Sequence, residues 1–312
     1  MRVVFMGSPE FALPTLRRLI ESEHDVVGVY TQPDRPVGRG RRLAPPPVKQ
    51  LAAAHGVPVF QPKSISKPES VEQLRTLAPD VGVIAAYGQI LKQPVLDVPP
   101  LGVLNVHASL LPRWRGAAPI PAAILAGDTR TGATIMKVVL ALDAGPILGQ
   151  TEVEIAPDDT TATLTPRVAE AGAALLLELL PKWARGAIAT EEQDESLVTY
   201  APQLRKSDGL IDWARHDADT IVRMVRAYDP WPTAYTYVSG QQLSILRARV
   251  LETRSEAAAG TVVGPAPSDD GFVVATVGND LAVVTVKPAG RKPMPAGAFA
   301  RGKRDLFTSR LG

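Results

Sequence analysis

The stretch Val103-Leu104-Asn105-Val106-His107 is a short apolar run that ends in a histidine. Side chains alternate along an extended chain, so we expect Asn105 and His107 to share one face of a strand. A strand that is apolar on both sides is typical of a sheet covered by helices on both faces. The stretch therefore predicts an interior strand of an α/β sheet.

Similar short apolar runs recur along residues 1–189, separated by longer helical patterns. The predicted strands are Val3 to Met6, Val26 to Tyr30, Val81 to Ala86, Val103 to His107, Thr134 to Val139 and Gln150 to Ile155. The predicted helices are Phe11 to Glu21, Val48 to His55, Val71 to Leu77, Pro119 to Ala126 and Ala162 to Ala184. This alternation indicates successive βαβ units. We predict a doubly wound, Rossmann-like, mostly parallel sheet that forms a catalytic domain over residues 1–189.

The pattern changes after Gly186. Residues 190–207 are polar and begin with an acidic run, which suggests a linker. A helix is predicted over Ala218 to Tyr228, and after it the apolar period becomes two. The predicted strands are Ala234 to Val238, Leu243 to Leu251, Thr261 to Val263, Phe272 to Val277 and Leu281 to Val286. Residues 208–312 are therefore predicted to form a small β-barrel domain.

Composition excludes several classes of protein. The 312 residues carry a formal net charge of +2 and no cysteine. The lack of cysteine excludes disulfides, thiolate zinc sites, iron–sulfur clusters and a cysteine nucleophile. No apolar run approaches the ~20 residues of a membrane span, and no export signal precedes the first strand. We expect a cytoplasmic protein that does not bind membranes.

Basic residues are locally concentrated although the total charge is small. Arg35, Arg39, Arg41 and Arg42 lie in a Pro/Gly-rich loop. A second cluster lies near the C-terminus and comprises Lys287, Arg291, Lys292, Arg301, Lys303, Arg304 and Arg310. Such clusters can attract a polyanion, or they can simply be solvated surface. Composition leaves both interpretations open.

Three polar residues could form a catalytic site. Asn105 and His107 lie at the carboxyl end of a predicted strand, where doubly wound sheets bind ligands, and Asp143 follows the next strand. The Asn amide could donate to an oxyanion, the His could transfer a proton, and the Asp could orient the imidazole. The alternative is a hydrogen-bonded core histidine beside an aspartate in a turn.

Motifs for other chemistries are missing. The residues after the first strand do not form G-x-G-x-x-G, and no G-x-x-x-x-G-K-[ST] or H-E-x-x-H sequence occurs. Ser109 lies outside a G-x-S-x-G elbow. A dinucleotide cofactor, a metal site and a serine hydrolase are therefore not expected.

Longer motifs resemble the folate-dependent formyltransferases. They are the run from Asn105 to Ile120, then Gly127-Asp128, Thr131-Gly132 and Leu142-Asp143-Ala144-Gly145. Within that superfamily the chain most resembles the methionyl-tRNA formyltransferases, along its whole length. The supporting segments are Met6 to Ala12, Pro33 to Gly40, Tyr200 to Pro202, Ile211 to Trp213, Asp229 to Pro232 and Lys287 to Met294.

The resemblance implies formyl transfer from 10-formyltetrahydrofolate to the amino group of methionyl initiator tRNA, for translation initiation. By resemblance, the catalytic residues are Asn105, His107 and Asp143. The folate-contacting segment is Ser109, Leu110, Leu111 and Pro112, and the tRNA-binding residues are Arg39, Arg41 and Arg42. The C-terminal domain would be an OB-like barrel that binds tRNA, and the protein would be a monomer.

Two alternatives remain from the sequence. The same folate pocket could serve a small amine acceptor, such as a sugar nucleotide or a purine precursor, although the basic clusters favour tRNA. The basic clusters and barrel could instead belong to an RNA-binding protein without catalysis. That alternative would make Asn105, His107 and Asp143 purely structural.

Overall fold

The computed structural model describes residues 1–37, 42–267, 271–303 and 305–312. Its strands are β1 (Arg2–Gly7), β2 (Asp25–Tyr30), β3 (Arg35–Val37), β4 (Arg42–Ala44), β5 (Val59–Phe60), β6 (Val81–Ala85), β7 (Val103–His107), β8 (Arg115–Gly116), β9 (Arg130–Lys137), β10 (Ile147–Glu154), β11 (Tyr200–Ala201), β12 (Tyr235–Val238), β13 (Gln241–Val250), β14 (Val262–Pro265), β15 (Phe272–Val274), β16 (Leu281–Pro288) and β17 (Met294–Pro295). Its α-helices are α1 (Leu13–Ile20), α2 (Pro47–Ala54), α3 (Pro68–Thr76), α4 (Gln93–Leu96), α5 (Pro119–Ala126), α6 (Thr161–Ala184), α7 (Ala218–Ala227) and α8 (Ala296–Arg301). Short 3-10 turns cover Glu10–Ala12, Glu195–Leu197, Lys206–Gly209 and Leu306–Thr308.

The chain folds into two compact units that interleave along the sequence. The first unit contains Met1–Pro119, Arg130–Glu154 and Thr165–Ala201. The second contains Ile120–Thr129, Ile155–Leu164 and Pro202–Gly312. The domain limits expected from the sequence, at 189/190 and 207/208, stay predictions.

A seven-stranded sheet forms the centre of the first unit. Its strand order is β10-β9-β7-β6-β1-β2-β5. The four pairings among β5, β2, β1, β6 and β7 are parallel, whereas β9 runs antiparallel to both β7 and β10. Strand order reverses beside β1, as in a doubly wound fold. The predicted fold class is confirmed.

Alternate residues of the strands pack on opposite faces of this sheet. On β1, Val3 and Phe5 join one buried cluster, together with residues of α1, α2 and α6. Val4 and Met6 join the other cluster, together with residues of α3 and α4. All four β1 side chains are fully buried, and such burial contributes about 1.5–3 kcal/mol for each large apolar side chain. The double-sided apolar pattern therefore arises because helices cover both faces.

The second unit is organised around an antiparallel sheet. Its strand order is β12-β13-β16-β15-β14, and β17 pairs with β16. Helix α7 is capped by Asp217, whose side chain accepts a hydrogen bond from the Thr220 amide at 2.8 Å. The buried residues of α7 include Ile221, Met224 and Val225, as its apolar period predicts. Within the described ranges, no helix is both long and apolar enough to cross a bilayer.

Several element boundaries differ from the sequence predictions. Strand β9 begins at Arg130, four residues before its predicted start, and includes Gly132. A Cβ on Gly132 would collide with the Thr151 carbonyl of β10, so this glycine permits close strand pairing at a position outside the predicted strand. The β3–β4 hairpin and the pairing of β8 with β11 are also additional to the predicted elements.

Candidate active site

His107 ends β7 and is buried, with 6% of its surface exposed. Leu104 and Val106 of the same strand pack in the cluster with α6, whereas Val103 packs in the opposite cluster. Asn105 and His107 therefore lie on the Val103 face of the strand, as the alternation predicts. The carboxyl end of β7 thus carries two polar side chains on one face of the strand.

The imidazole of His107 contacts two oxygens. Its Nε2 lies 2.9 Å from the backbone oxygen of Trp114. A carbonyl oxygen can only accept, so Nε2 carries a hydrogen and donates it. Its Nδ1 lies 3.7 Å from Oδ2 of Asp143. This distance is longer than a hydrogen bond, but a carboxylate so close still stabilises positive charge on the ring.

Asp143 is held at this position by the backbone of a neighbouring loop. Its Oδ2 accepts a hydrogen bond of 2.8 Å from the amide of Gly116. Gly116 has a φ of 118°, and a Cβ there would lie 2.6 Å from the oxygen of Ala201. Only glycine suits both conditions, so the donor to Asp143 depends on Gly116 being glycine.

The side chain of Asn105 is available to a ligand. It is partly exposed, and β7 pairs it with Met136 of β9 and Ile84 of β6. Among the residues that the structure describes, none forms a hydrogen bond with its side chain. An amide that makes no internal hydrogen bond can donate to a substrate without losing an existing partner.

The predicted folate segment, Ser109 to Pro112, is anchored by hydrogen bonds to Thr134 and Gln150. Thr134 is fully buried; its hydroxyl donates to Ser109 O at 2.6 Å and accepts from Leu111 N at 3.1 Å. Gln150 Nε2 donates to Leu111 O at 2.8 Å and to the Thr134 hydroxyl at 2.9 Å. Ser109 and Leu111 are buried, which leaves Leu110 and Pro112 as the partly exposed members of the segment.

Thr134→Val should destabilise the first unit by about 2–4 kcal/mol, because it leaves buried backbone groups of Ser109 and Leu111 unpaired. Thermal or urea unfolding measures this effect. Thr134→Ser, which keeps the hydroxyl, is the matched control and should lose less than half as much. Equal losses for the two variants would show that the hydrogen bonds of the hydroxyl contribute no more to stability than the packing of the methyl group does.

No sequence pattern marks the segment that supports this loop. Thr199, in the predicted linker, accepts from Trp114 N through its hydroxyl and from Arg115 N through its carbonyl, both at 2.9 Å. Strand β11 then pairs in parallel with β8. The polar segment up to Ala201 therefore belongs structurally to the first unit and supports the residues that contact His107 and Asp143.

The structure describes only one of the three predicted tRNA-binding residues. Arg39 and Arg41 lie outside the described residues, and Arg42 begins β4, which pairs with β3. In the C-terminal cluster, Arg304 also lies outside the described residues, while Arg291 and Lys292 are exposed. Within the described ranges, no group of three or more His, Asp or Glu side chains is arranged to hold a metal ion.

Comparison with known proteins identifies the family. Residues 1–180 match the formyl transferase family, and residues 203–304 match the formyl transferase C-terminal domain. The chain belongs to the formyl transferase family. The formyltransferase predicted from the motifs is thereby confirmed, and an RNA-binding protein without catalysis is disfavoured.

The similarity to individual formyl transferases covers nearly the whole length of the chain. A methionyl-tRNA formyltransferase of Methylococcus capsulatus is 52% identical over 312 residues, which is 100% of both chains. One of Chloroflexus aggregans is 50% identical over 303 residues, covering 97% of each chain. An N-formyltransferase of Helicobacter canadensis, solved in complex with folinic acid and dTDP-3-aminofucose, has a TM-score of 0.66 and 14% identity, covering 91% of this chain and 98% of that one. This last similarity concerns the fold alone.

Proposed function

We propose that the protein transfers the formyl group of 10-formyltetrahydrofolate to the α-amino group of methionyl initiator tRNA. The amine nitrogen attacks the formyl carbon and gives a tetrahedral intermediate. The bond from that carbon to N10 of the folate then breaks, so that tetrahydrofolate leaves. The amine loses one proton and N10 gains one, so the reaction needs a proton carrier but no oxidant.

The observation that carries this proposal is the combination of an uncommitted amide at Asn105 with the buried His107–Asp143 pair. In the proposed mechanism, Asn105 donates to the oxyanion of the intermediate. His107 stabilises the same charge and moves a proton, while the Asp143 carboxylate stabilises the charged imidazole. This assignment gives all three side chains a function at the carboxyl end of β7.

We place the folate against the segment from Ser109 to Pro112. The hydrogen bonds from Thr134 and Gln150 fix the backbone of this segment, and a rigid loop loses little entropy when a ligand binds. Leu110 and Pro112 retain accessible surface that could pack against a flat ring.

The basic clusters support a tRNA acceptor rather than a small one. Relatives named methionyl-tRNA formyltransferase share about half of their residues with this chain over its full length. In the proposed complex, Arg39, Arg41 and Arg42 contact the acceptor end of the tRNA, and the C-terminal barrel contacts its backbone. We propose that the protein acts as a monomer in the cytoplasm.

Neutralising Arg41 and Arg42 together, as Arg41→Gln with Arg42→Gln, should raise the KM for methionyl-tRNA at least about tenfold, because two phosphate contacts are lost. The KM for folate should change less than twofold. Steady-state kinetics with each substrate varied in turn measures both. Arg17→Gln with Arg185→Gln, which replaces two exposed cations outside both basic clusters, is a control for the general loss of two charges; an equal rise in that variant would remove the special role of the loop.

The deciding experiment measures transfer of a radiolabelled formyl group from 10-formyltetrahydrofolate. Methionyl initiator tRNA, methionyl elongator tRNA and free methionine serve as competing acceptors, and an amino-sugar nucleotide is offered in a separate reaction at several salt concentrations. Transfer confined to the initiator supports the proposal. Transfer to a sugar nucleotide amine with a rate insensitive to salt would support the small-acceptor alternative, because phosphate contacts make tRNA binding strongly salt-dependent.

A further inference from the structure

Arg115 of β8 is a buried cation that fixes a glutamine side chain. Only 3% of its side chain is exposed. Its Nε donates to Oε1 of Gln193 at 2.9 Å, and its Nη2 donates to Oε1 of Glu195 at 2.8 Å. Because Oε1 of Gln193 accepts from this cation, the amide orientation of Gln193 is set, with its nitrogen directed to other acceptors.

The nitrogen of Gln193 binds the backbone on both sides of Ala144. Nε2 donates to the carbonyl of Asp143 at 2.8 Å and to the carbonyl of Gly145 at 2.7 Å. Both hydrogens of the amide are therefore used. The side chain of Gln193 links the buried Arg115 to the turn that carries Asp143.

This turn needs external support. Asp143 has a φ of 48°, in the left-handed region that costs a non-glycine residue roughly 1–2 kcal/mol. A Cβ on Gly145 would overlap the carbonyl of Lys137, so the turn also lies directly against the end of β9. The turn's own hydrogen bond, from the Ala144 amide to the Ala141 carbonyl, is long at 3.4 Å, so the two shorter bonds from Gln193 are the stronger restraint on the carbonyl side of Asp143.

We propose that Gln193 is a positioning residue for catalysis: it holds the backbone of Asp143 so that the carboxylate accepts from Gly116 and faces His107. The catalytic part of this inference rests on the proposed function. The geometric part does not, since it concerns only the hydrogen bonds around Asp143.

Two variants separate the bond between Gln193 and Arg115 from the bonds to the two carbonyls. Gln193→Ala removes all three hydrogen bonds. Gln193→Glu keeps an acceptor for Arg115 but cannot donate to the two carbonyls. Both should lower kcat about 10- to 100-fold and change either KM less than about threefold. The control Gln203→Ala replaces an exposed glutamine nearby and should keep wild-type kcat. A Gln193→Glu variant with wild-type kcat would overturn the proposal, because it would show that only the Arg115 contact matters.

A double-mutant cycle tests whether Gln193 acts through Asp143. In an Asp143→Ala background, measured by single turnover with excess enzyme, Gln193→Ala should lower the rate less than about twofold. If Gln193→Ala lowered the rate in the Asp143→Ala background by the same factor as in the wild type, Gln193 would act by another route, and the proposal would be overturned.

Amide exchange supplies a readout that does not depend on activity. The Gly116 amide, which donates to Asp143 Oδ2, should exchange at least about tenfold faster in Gln193→Ala than in wild type, as followed by NMR. Unchanged protection would refute the positioning role. The exchange of the Gly116 amide could be faster in Gln193→Ala, as expected, while the wild-type protein transferred no formyl group to any acceptor. In that case the proposed function would fail, but the placement of Asp143 by Gln193 would stand.

Discussion

Asn105→Ala should lower kcat about 10²- to 10³-fold, which is the usual effect of removing one oxyanion donor. The side chain makes no internal hydrogen bond among the described residues and is partly exposed, so its removal leaves no buried group unpaired. Folding stability should therefore change by less than about 1 kcal/mol. Radiolabelled formyl transfer at saturating substrates measures kcat, and thermal unfolding measures the stability.

The matched control for this variant is Asn279→Ala, since Asn279 is the only other asparagine of the chain. Asn279 lies in the turn before β16, and its backbone oxygen rather than its side chain accepts from Thr276. The control should keep normal turnover. Near-normal turnover in Asn105→Ala itself would end its assignment as an oxyanion donor.

Asp143→Asn should lower kcat at least as much, by about 10²-fold or more. An asparagine keeps the shape, tolerates a positive φ and can still accept from Gly116, so the fold should persist. It carries no charge, however, and so it cannot stabilise the imidazolium that forms at His107, 3.7 Å away. The loss should appear in kcat at saturating folate and tRNA.

Asp97→Asn is a suitable control, because Asp97 is an exposed carboxylate at the end of α4. It should show normal turnover and a similar melting temperature. If Asp143→Asn retained more than about a third of the wild-type kcat, the charge of Asp143 would have no catalytic role, and the pair with His107 would be structural.

The sequence predicted those elements whose pattern is local. Strand β7 begins and ends where predicted, because its apolar run is interrupted by polar residues only on one face. The same alternation placed Asn105 and His107 together. The start of strand β9 was predicted too late, because a glycine usually weakens a strand, and the use of Gly132 appears only once the neighbouring carbonyl of Thr151 is known. The antiparallel direction of β9 likewise depends on a pairing that a single strand does not encode.

The support of the site could not be predicted in this way. Gln193 and Thr199 lie in a polar segment without periodicity, and their partners are 50 and 85 residues away in the chain. Their importance comes from backbone groups of Asp143 and Trp114, which every residue type possesses. A sequence pattern carries no record of such contacts, so the segment could be read only as a linker.

The interleaved order of the two compact units affects how the chain folds while it is synthesised on the ribosome. Residues 155–164 belong to the second unit, and the Thr161 hydroxyl donates to the carbonyl of Ala227, 66 residues later. At about 5–20 residues per second, this partner emerges roughly 3–13 seconds after Thr161 does. During that interval the nascent chain has completed the residues of the first unit, up to Ala201, while residues 155–164 still await α7. The speed of elongation through residues 162–227 therefore sets how long residues 155–164 stay accessible to chaperones and proteases.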